Sequence, residues 1–129
     1  MAGRVVVVDD STVIRDLIAV NLELEGLDVV RCSDGLEALE QVAVRRPDVI
    51  TLDVMMPRLD GFSTIERLRA DPATADIPVV VVTGRASAAD LARGAELGVD
   101  AYLVKPFEPA ELVSAVLRLA EHGREAATG

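Results

Sequence analysis

The chain has 129 residues, half of them apolar, with one Tyr, two Phe and no Trp, which is the length of a single domain with an aliphatic core. Its 22 Asp and Glu against 13 Lys and Arg give a net charge of −9, which repels phosphate backbones and anionic lipid and argues against direct nucleic-acid or membrane binding. The single cysteine, Cys32, excludes an internal disulfide, and no apolar run approaches the roughly 18 residues of a membrane span.

In chain order, Val5-Val6-Val7-Val8 reads as a strand apolar on both faces. It starts too early to leave room for a signal peptide, so a soluble cytoplasmic domain is expected. Asp9 and Asp10 follow, and Ser11 is placed to cap a helix carrying Val13, Ile14, Leu17 and Ile18, with Gly26 at its end. Leu27-Asp28-Val29-Val30 is the second strand, and its interruption by Asp28 and Arg31 suits a sheet edge. Leu36, Leu39, Val42 and Ala43 mark the second helix, and Pro47 precedes the third strand, Val49-Ile50-Thr51-Leu52. Phe62, Ile65 and Leu68 mark the third helix, and Pro78 leads into Val79-Val80-Val81-Val82. Leu91, Ala92 and Ala95 mark a fourth helix ended by Gly98, and Ala101-Tyr102-Leu103-Val104 is the fifth strand. Pro109, tolerated in a first turn, opens a fifth helix with Leu112, Val113, Val116 and Leu117. Residues 1–122 are thus read as one domain, and 123–129, where the apolar pattern lapses, as a disordered tail or the start of a linker. Strict βα alternation predicts a parallel sheet in an open three-layer α/β sandwich.

In such sheets the functional crevice lies beyond the carboxyl ends of the strands. There stand Asp9 and Asp10 after the first strand, Asp53 after the third, Thr83 with Gly84 at the fourth, and Lys105-Pro106 after the fifth. Each has an ordinary reading alone: helix caps, a loop acid, a turn hydroxyl, a solvated lysine. Together they gather three carboxylates against one ammonium. Two unit charges about 4 Å apart repel by roughly 4 kcal/mol at an effective dielectric of about 20, so the cluster needs either a protonated carboxyl or a hard divalent cation. Mg²⁺ (or Mn²⁺) is preferred, because Mg²⁺ commonly takes one or two carboxylates together with phosphate oxygens. A carboxylate can attack phosphorus to give an aspartyl phosphate. Asp53, on the strand expected to be central, is the candidate nucleophile. Asp9 and Asp10 would then hold the metal, and Lys105 and Thr83 would meet the phosphoryl oxygens, with Gly84 leaving space.

These residues make the chain resemble the CheY-like receiver domain of two-component response regulators over about residues 4 to 122. The likeness rests on Val7-Val8-Asp9-Asp10-Ser11, on Asp53 followed by Met56-Pro57 and Gly61, on Thr83-Gly84, and on Tyr102 ahead of Lys105-Pro106-Phe107. It implies a doubly wound, flavodoxin-like sheet of order 2-1-3-4-5 with five helices. It implies that Asp53 accepts a phosphoryl group from the phosphohistidine of a sensor histidine kinase or phosphotransfer protein. By the same resemblance Asp10, Asp53 and the backbone carbonyl of Met55 would ligate Mg²⁺, Asp9 would act through a metal-bound water, and Lys105, before a cis Pro106, would pair with the phosphoryl group. Thr83 and Tyr102 would be the switch pair, altering the face of helix four, strand five and helix five toward a downstream partner or output domain. Met55 and Arg85 flank the acceptor and would tune the acyl-phosphate lifetime, which is expected to be long. Such a domain is a signalling element that assists only its own phosphorylation and dephosphorylation.

Two positions depart from the winged-helix transcription-factor subfamily: Ala101 and Ala115 stand where an acid and a base usually do. That weakens the expectation of its symmetric active dimer and leaves a phosphorylation-linked dimer by another route. A haloacid-dehalogenase-type phosphatase uses similar parts, but its two aspartates stand two residues apart after the first strand, whereas Asp9 and Asp10 are adjacent. A flavodoxin-like electron carrier would want more aromatics, and an unphosphorylated interaction module would not need the intact acidic trio. Cys32 is expected to be a buried filler and His122 an exposed side chain.

Overall fold

A computed structural model describes residues 3–124. Five strands alternate with five helices: β1 (Arg4–Val8), α1 (Thr12–Glu23), β2 (Asp28–Cys32), α2 (Gly35–Val44), β3 (Val49–Leu52), α3 (Gly61–Ala70), β4 (Val79–Thr83), α4 (Ala88–Glu96), β5 (Ala101–Val104) and α5 (Pro109–His122). All four strand pairings are parallel and the sheet order is β2-β1-β3-β4-β5, the order the resemblance implies.

Strand alternation builds a core on each face of the sheet. Val5, Val7, Val49, Val80 and Val82 pack with Ile18 and Leu22 of α1 and Leu112, Val116 and Leu119 of α5. Val6, Val8, Ile50, Leu52 and Val81 pack on the other face with Ala38 and Val42 of α2 and Ile65 and Leu68 of α3. Each fully buried aliphatic side chain contributes roughly 1.5–3 kcal/mol, so valine repeats that look redundant in sequence serve two separate cores.

Four helices open on side-chain caps: Ser11, Asp34, Asp60 and Ser87 accept from the amides of Ile14, Glu37, Ser63 and Asp90. Pro109 opens α5 without one. β2 begins and ends later than the hydrophobic run suggests, at Asp28 rather than Leu27, because its register is set by pairing with β1, Arg4 against Asp28 through Val8 against Cys32. It is an edge strand, and its outward Arg31 is held by Glu23 and Asp16. Cys32, 1% exposed, is a core filler whose thiol is pushed up to about 12, chiefly by burial.

At the amino end of the sheet Asp100 accepts from the amide of Val79 and from the Arg124 guanidinium. Arg69 lies 3.5 Å from Asp100 and donates to the carbonyls of Ala75, Ile77, Leu97 and Gly98. Of the expected tail, Gly123 and Arg124 are described, Arg124 in these bonds; residues 125–129 lie outside the described residues. Among the described residues no helix is long and apolar enough to cross a membrane.

Candidate functional site

Strand register assembles the site. Val8 is opposite Leu52, so the next residues, Asp9 and Asp53, emerge side by side, and the Asp53 amide donates to the Val8 carbonyl. Thr83 is opposite Val104, and the Lys105 amide donates to the Thr83 carbonyl, bringing Lys105 beside Gly84. Asp9, Asp10 and Asp53 each place a carboxylate oxygen within 4.8 Å of the others. Asp9 is 1% exposed, Asp53 7%, and Asp10 is exposed, so the cluster opens to solvent on the Asp10 side.

Lys105 bridges the two buried acids, its Nζ donating to Asp9 Oδ2 at 2.9 Å and Asp53 Oδ2 at 2.8 Å. Burial alone would depress the ammonium, but the bonds to Asp53 and Asp9 outweigh it and hold it above its ordinary value. Asp9 has the opposite problem. Burial pushes its carboxyl up, and neither Lys105 nor the Ser11 amide offsets that fully. Three acids with one ammonium therefore remain short of positive charge, and oxygen-only donors at this spacing fit a hard divalent cation such as Mg²⁺.

The remaining rim residues sit as follows. Thr83 is fully buried as the last residue of β4, and its Oγ1 accepts from the Arg85 amide at 3.2 Å. A Cβ on Gly84 would meet nothing within 4 Å, so the space beside it is open. The Lys105-Pro106 bond is cis. Met55 is exposed, and its amide donates to Asp53 Oδ1 at 3.1 Å. Arg85 lines the cleft with Asp10, Met55, Met56, Pro57 and Asp60, yet its guanidinium turns to Asp90 at 3.0 Å. Tyr102 is half-buried with its ring against Gly94 of α4, and its hydroxyl donates to the Arg85 carbonyl at 2.6 Å. Arg85 thereby touches both members of the expected switch pair, through its amide and its carbonyl. Ala115 is buried, and His122 is exposed beside Glu121.

Two contacts lie outside the residues singled out from sequence. Arg15 donates to the Asp9 carbonyl at 3.0 Å. Arg58, in the loop after Asp53, grips Asp34 with two bonds of 2.7 and 2.9 Å. Neither follows a spacing rule; Arg58 and Asp34 are 24 residues apart.

The family described as "Response regulator receiver domain" matches residues 5–117. The chain is 40% identical over 116 residues to the DNA-binding dual master transcriptional regulator RpaA of Synechocystis, covering 90% of this chain and 48% of that protein, so it spans about half the length of this relative. It superposes on the chemotaxis response regulator CheY4 of Vibrio cholerae with a TM-score of 0.85 at 33% identity, covering 92% and 99% of the two chains. The receiver domain of a sensor histidine kinase from Pseudomonas aeruginosa, which has a magnesium ion coordinated in its active-site cleft, superposes with a TM-score of 0.85 at 29% identity, covering 94% and 99%.

Proposed function

The chain belongs to the response regulator receiver domain family of two-component signalling, and from that premise we propose that Asp53 is its phosphoacceptor, loaded in the cytoplasm by the phosphohistidine of a partner kinase or phosphotransfer protein. The observation that carries this reading is the Lys105 bridge to Asp53 and Asp9 beside an exposed Asp10: one nucleophilic carboxylate, one fixed ammonium and an uncompensated acid facing solvent.

Asp53 is held for attack by its bonds to the Met55 amide and Lys105. An Asp53 oxygen bonds to phosphorus as the phosphorus–nitrogen bond to the donor imidazole breaks. Lys105 then meets the transferred group, and the Thr83 hydroxyl, which among the described residues only accepts from the Arg85 amide, keeps its proton to donate to a phosphoryl oxygen. Mg²⁺, for which Asp10, Asp53 and the Met55 carbonyl are the proposed ligands and Asp9 the outer partner, supplies Lewis-acid neutralisation of the phosphoryl charge. The magnesium coordinated in the active-site cleft of the Pseudomonas receiver supports Mg²⁺ as the ion.

Withdrawal of Thr83 from Arg85 and rotation of Tyr102 from the Arg85 carbonyl would then alter the α4, β5 and α5 face for a downstream partner, as a two-state shift biased by charge-assisted hydrogen bonds. The chain turns over no external substrate in this reading. Incubation with a small acyl phosphate and Mg²⁺ should add one phosphoryl group, seen by intact mass, to the wild type and none to Asp53→Asn. Equal uptake by that variant, or steady hydrolysis of a generic phosphate ester, would overturn the proposal.

A further inference from the structure

We propose that Arg58 and Asp34 form a strap that sets the position of the metal-binding loop, an inference that rests on the reading of Asp10, Asp53 and Met55 as metal ligands. The loop from Asp53 to Gly61 carries Met55. Among the described residues Arg58 is the one non-glycine with positive φ, 65°, a left-handed conformation that is costly for an L residue. From that turn its guanidinium reaches Asp34, the N-cap of α2, with Nε to Oδ2 at 2.7 Å and Nη2 to Oδ1 at 2.9 Å.

The anchor is rigid. Asp34 is buried, and its Oδ1 also accepts from the Glu37 amide at 2.9 Å, so the start of α2 fixes the carboxylate. The Arg58 fork first, and the Glu37 amide next, hold the Asp34 carboxyl below its usual range. Gly35, the first residue of α2, is pressed so closely to the loop that a Cβ there would stand 2.6 Å from the Leu59 carbonyl. The loop is therefore held at its start by the Met55 amide on Asp53, closed on itself by the Gly61 amide on the Val54 carbonyl, and tied to α2 by Arg58 and Leu59. Met55, Met56 and Pro57 are suspended between these points. A paired, two-bond arginine–carboxylate fork with one buried member is the kind of ion pair whose geometry is reliable.

Charge alone predicts the opposite outcome from a strap. Arg58 is a cation on the loop proposed to bind a cation, so its removal would tighten Mg²⁺ binding if only electrostatics mattered. If the pair positions the loop, removal weakens binding. The test is calorimetric titration of Mg²⁺ into the metal-free wild type, Arg58→Ala, Arg58→Gly, Asp34→Asn and the Arg58→Ala/Asp34→Asn pair, with Asp10→Asn as the control. Asn at 34 keeps an acceptor for the Glu37 amide, and Gly at 58 removes the cost of the positive φ, so both variants keep the fold, which thermal melts will verify.

We expect each single variant to weaken Mg²⁺ binding by about tenfold, the size seen when partners outside a metal's ligand shell are removed. The double variant should be no weaker than either single one, because the two residues act as one unit. Binding by Arg58→Ala or Arg58→Gly equal to or tighter than wild type overturns the strap while leaving the site reading intact. A wild type that binds no Mg²⁺, or an Asp10→Asn protein that binds it unchanged, overturns the site reading and the strap with it.

Discussion

Buried carboxylates occur at both ends of the sheet, and their surroundings differ in the sign of what is left over. At the amino end Asp100, its side chain 4% exposed, faces two guanidiniums, Arg124 at 3.2 Å and Arg69 at 3.5 Å, and caps the Val79 amide as well. The spare donors of those arginines go to backbone carbonyls. At the carboxyl end Lys105 bridges Asp9 and Asp53, and among the described residues no cation pairs with Asp10 beside them. The first cluster is complete within the chain and staples loops together. The second is short of positive charge, and that shortage is what a cation and a phosphoryl donor can use. Burial of acids does not distinguish a functional site from a staple; the balance of their partners does.

Four experiments could break or sharpen that contrast. The largest effect is expected from Asp53→Asn, which should abolish phosphoryl uptake, while Arg69→Met at the other end should leave uptake intact; the reverse result would dissolve the distinction. Next, Arg69→Met should lower stability by about 3 kcal/mol in urea unfolding, since it leaves Asp100 with one guanidinium beside the Val79 amide and removes a donor from each of four carbonyls. Third, Mg²⁺ at about 100 times its Kd should raise unfolding stability by about 2.7 kcal/mol in the wild type and in Arg69→Met alike, and not in Asp10→Asn.

The smallest effect is a pH dependence beside the site. Arg58 first, then the Glu37 amide, depress the Asp34 carboxyl below its ordinary 3.8. A depressed folded value means that the charged form stabilises the fold above the unfolded value and that this contribution is lost as pH falls through the folded one. The stability gap between wild type and Asp34→Asn should therefore be constant from neutral pH down to about pH 4 and shrink below it. A gap that grows in acid would contradict the pairing, and with it the view that compensation, not location in the fold, separates the two kinds of carboxylate.

The fold was legible because the β-branched runs and the helical runs alternate without ambiguity, and because Ser11, Gly26, Gly98 and Pro109 mark helix limits that the caps and positive φ values match. The rim residues were legible for a related reason: each directly follows or ends an apolar run, so parallel topology alone brings them together. What composition and periodicity did not carry is side-chain direction. Arg85 flanks the acceptor in sequence, but its guanidinium turns to Asp90, which also closes the cap of α4 with Ser87. The Arg58 fork and the Arg69–Asp100–Arg124 cluster join residues 24 or more positions apart, apart from the strand register, and no local pattern announces them.

The unequal anchoring of the helices has its own consequence. α5 seats Leu112, Ala115, Val116 and Leu119 in the core, whereas α4 buries only Asp90 and Gly94 and keeps Leu91 outside. A displacement of α4 would thus expose little apolar surface of the helix itself beyond the Tyr102 ring it covers, so it carries a smaller hydrophobic cost and heat-capacity change than a displacement of α5. In native-state hydrogen exchange the α4 amides should open well ahead of those of α5, as a separate low-energy unit lying directly against Tyr102.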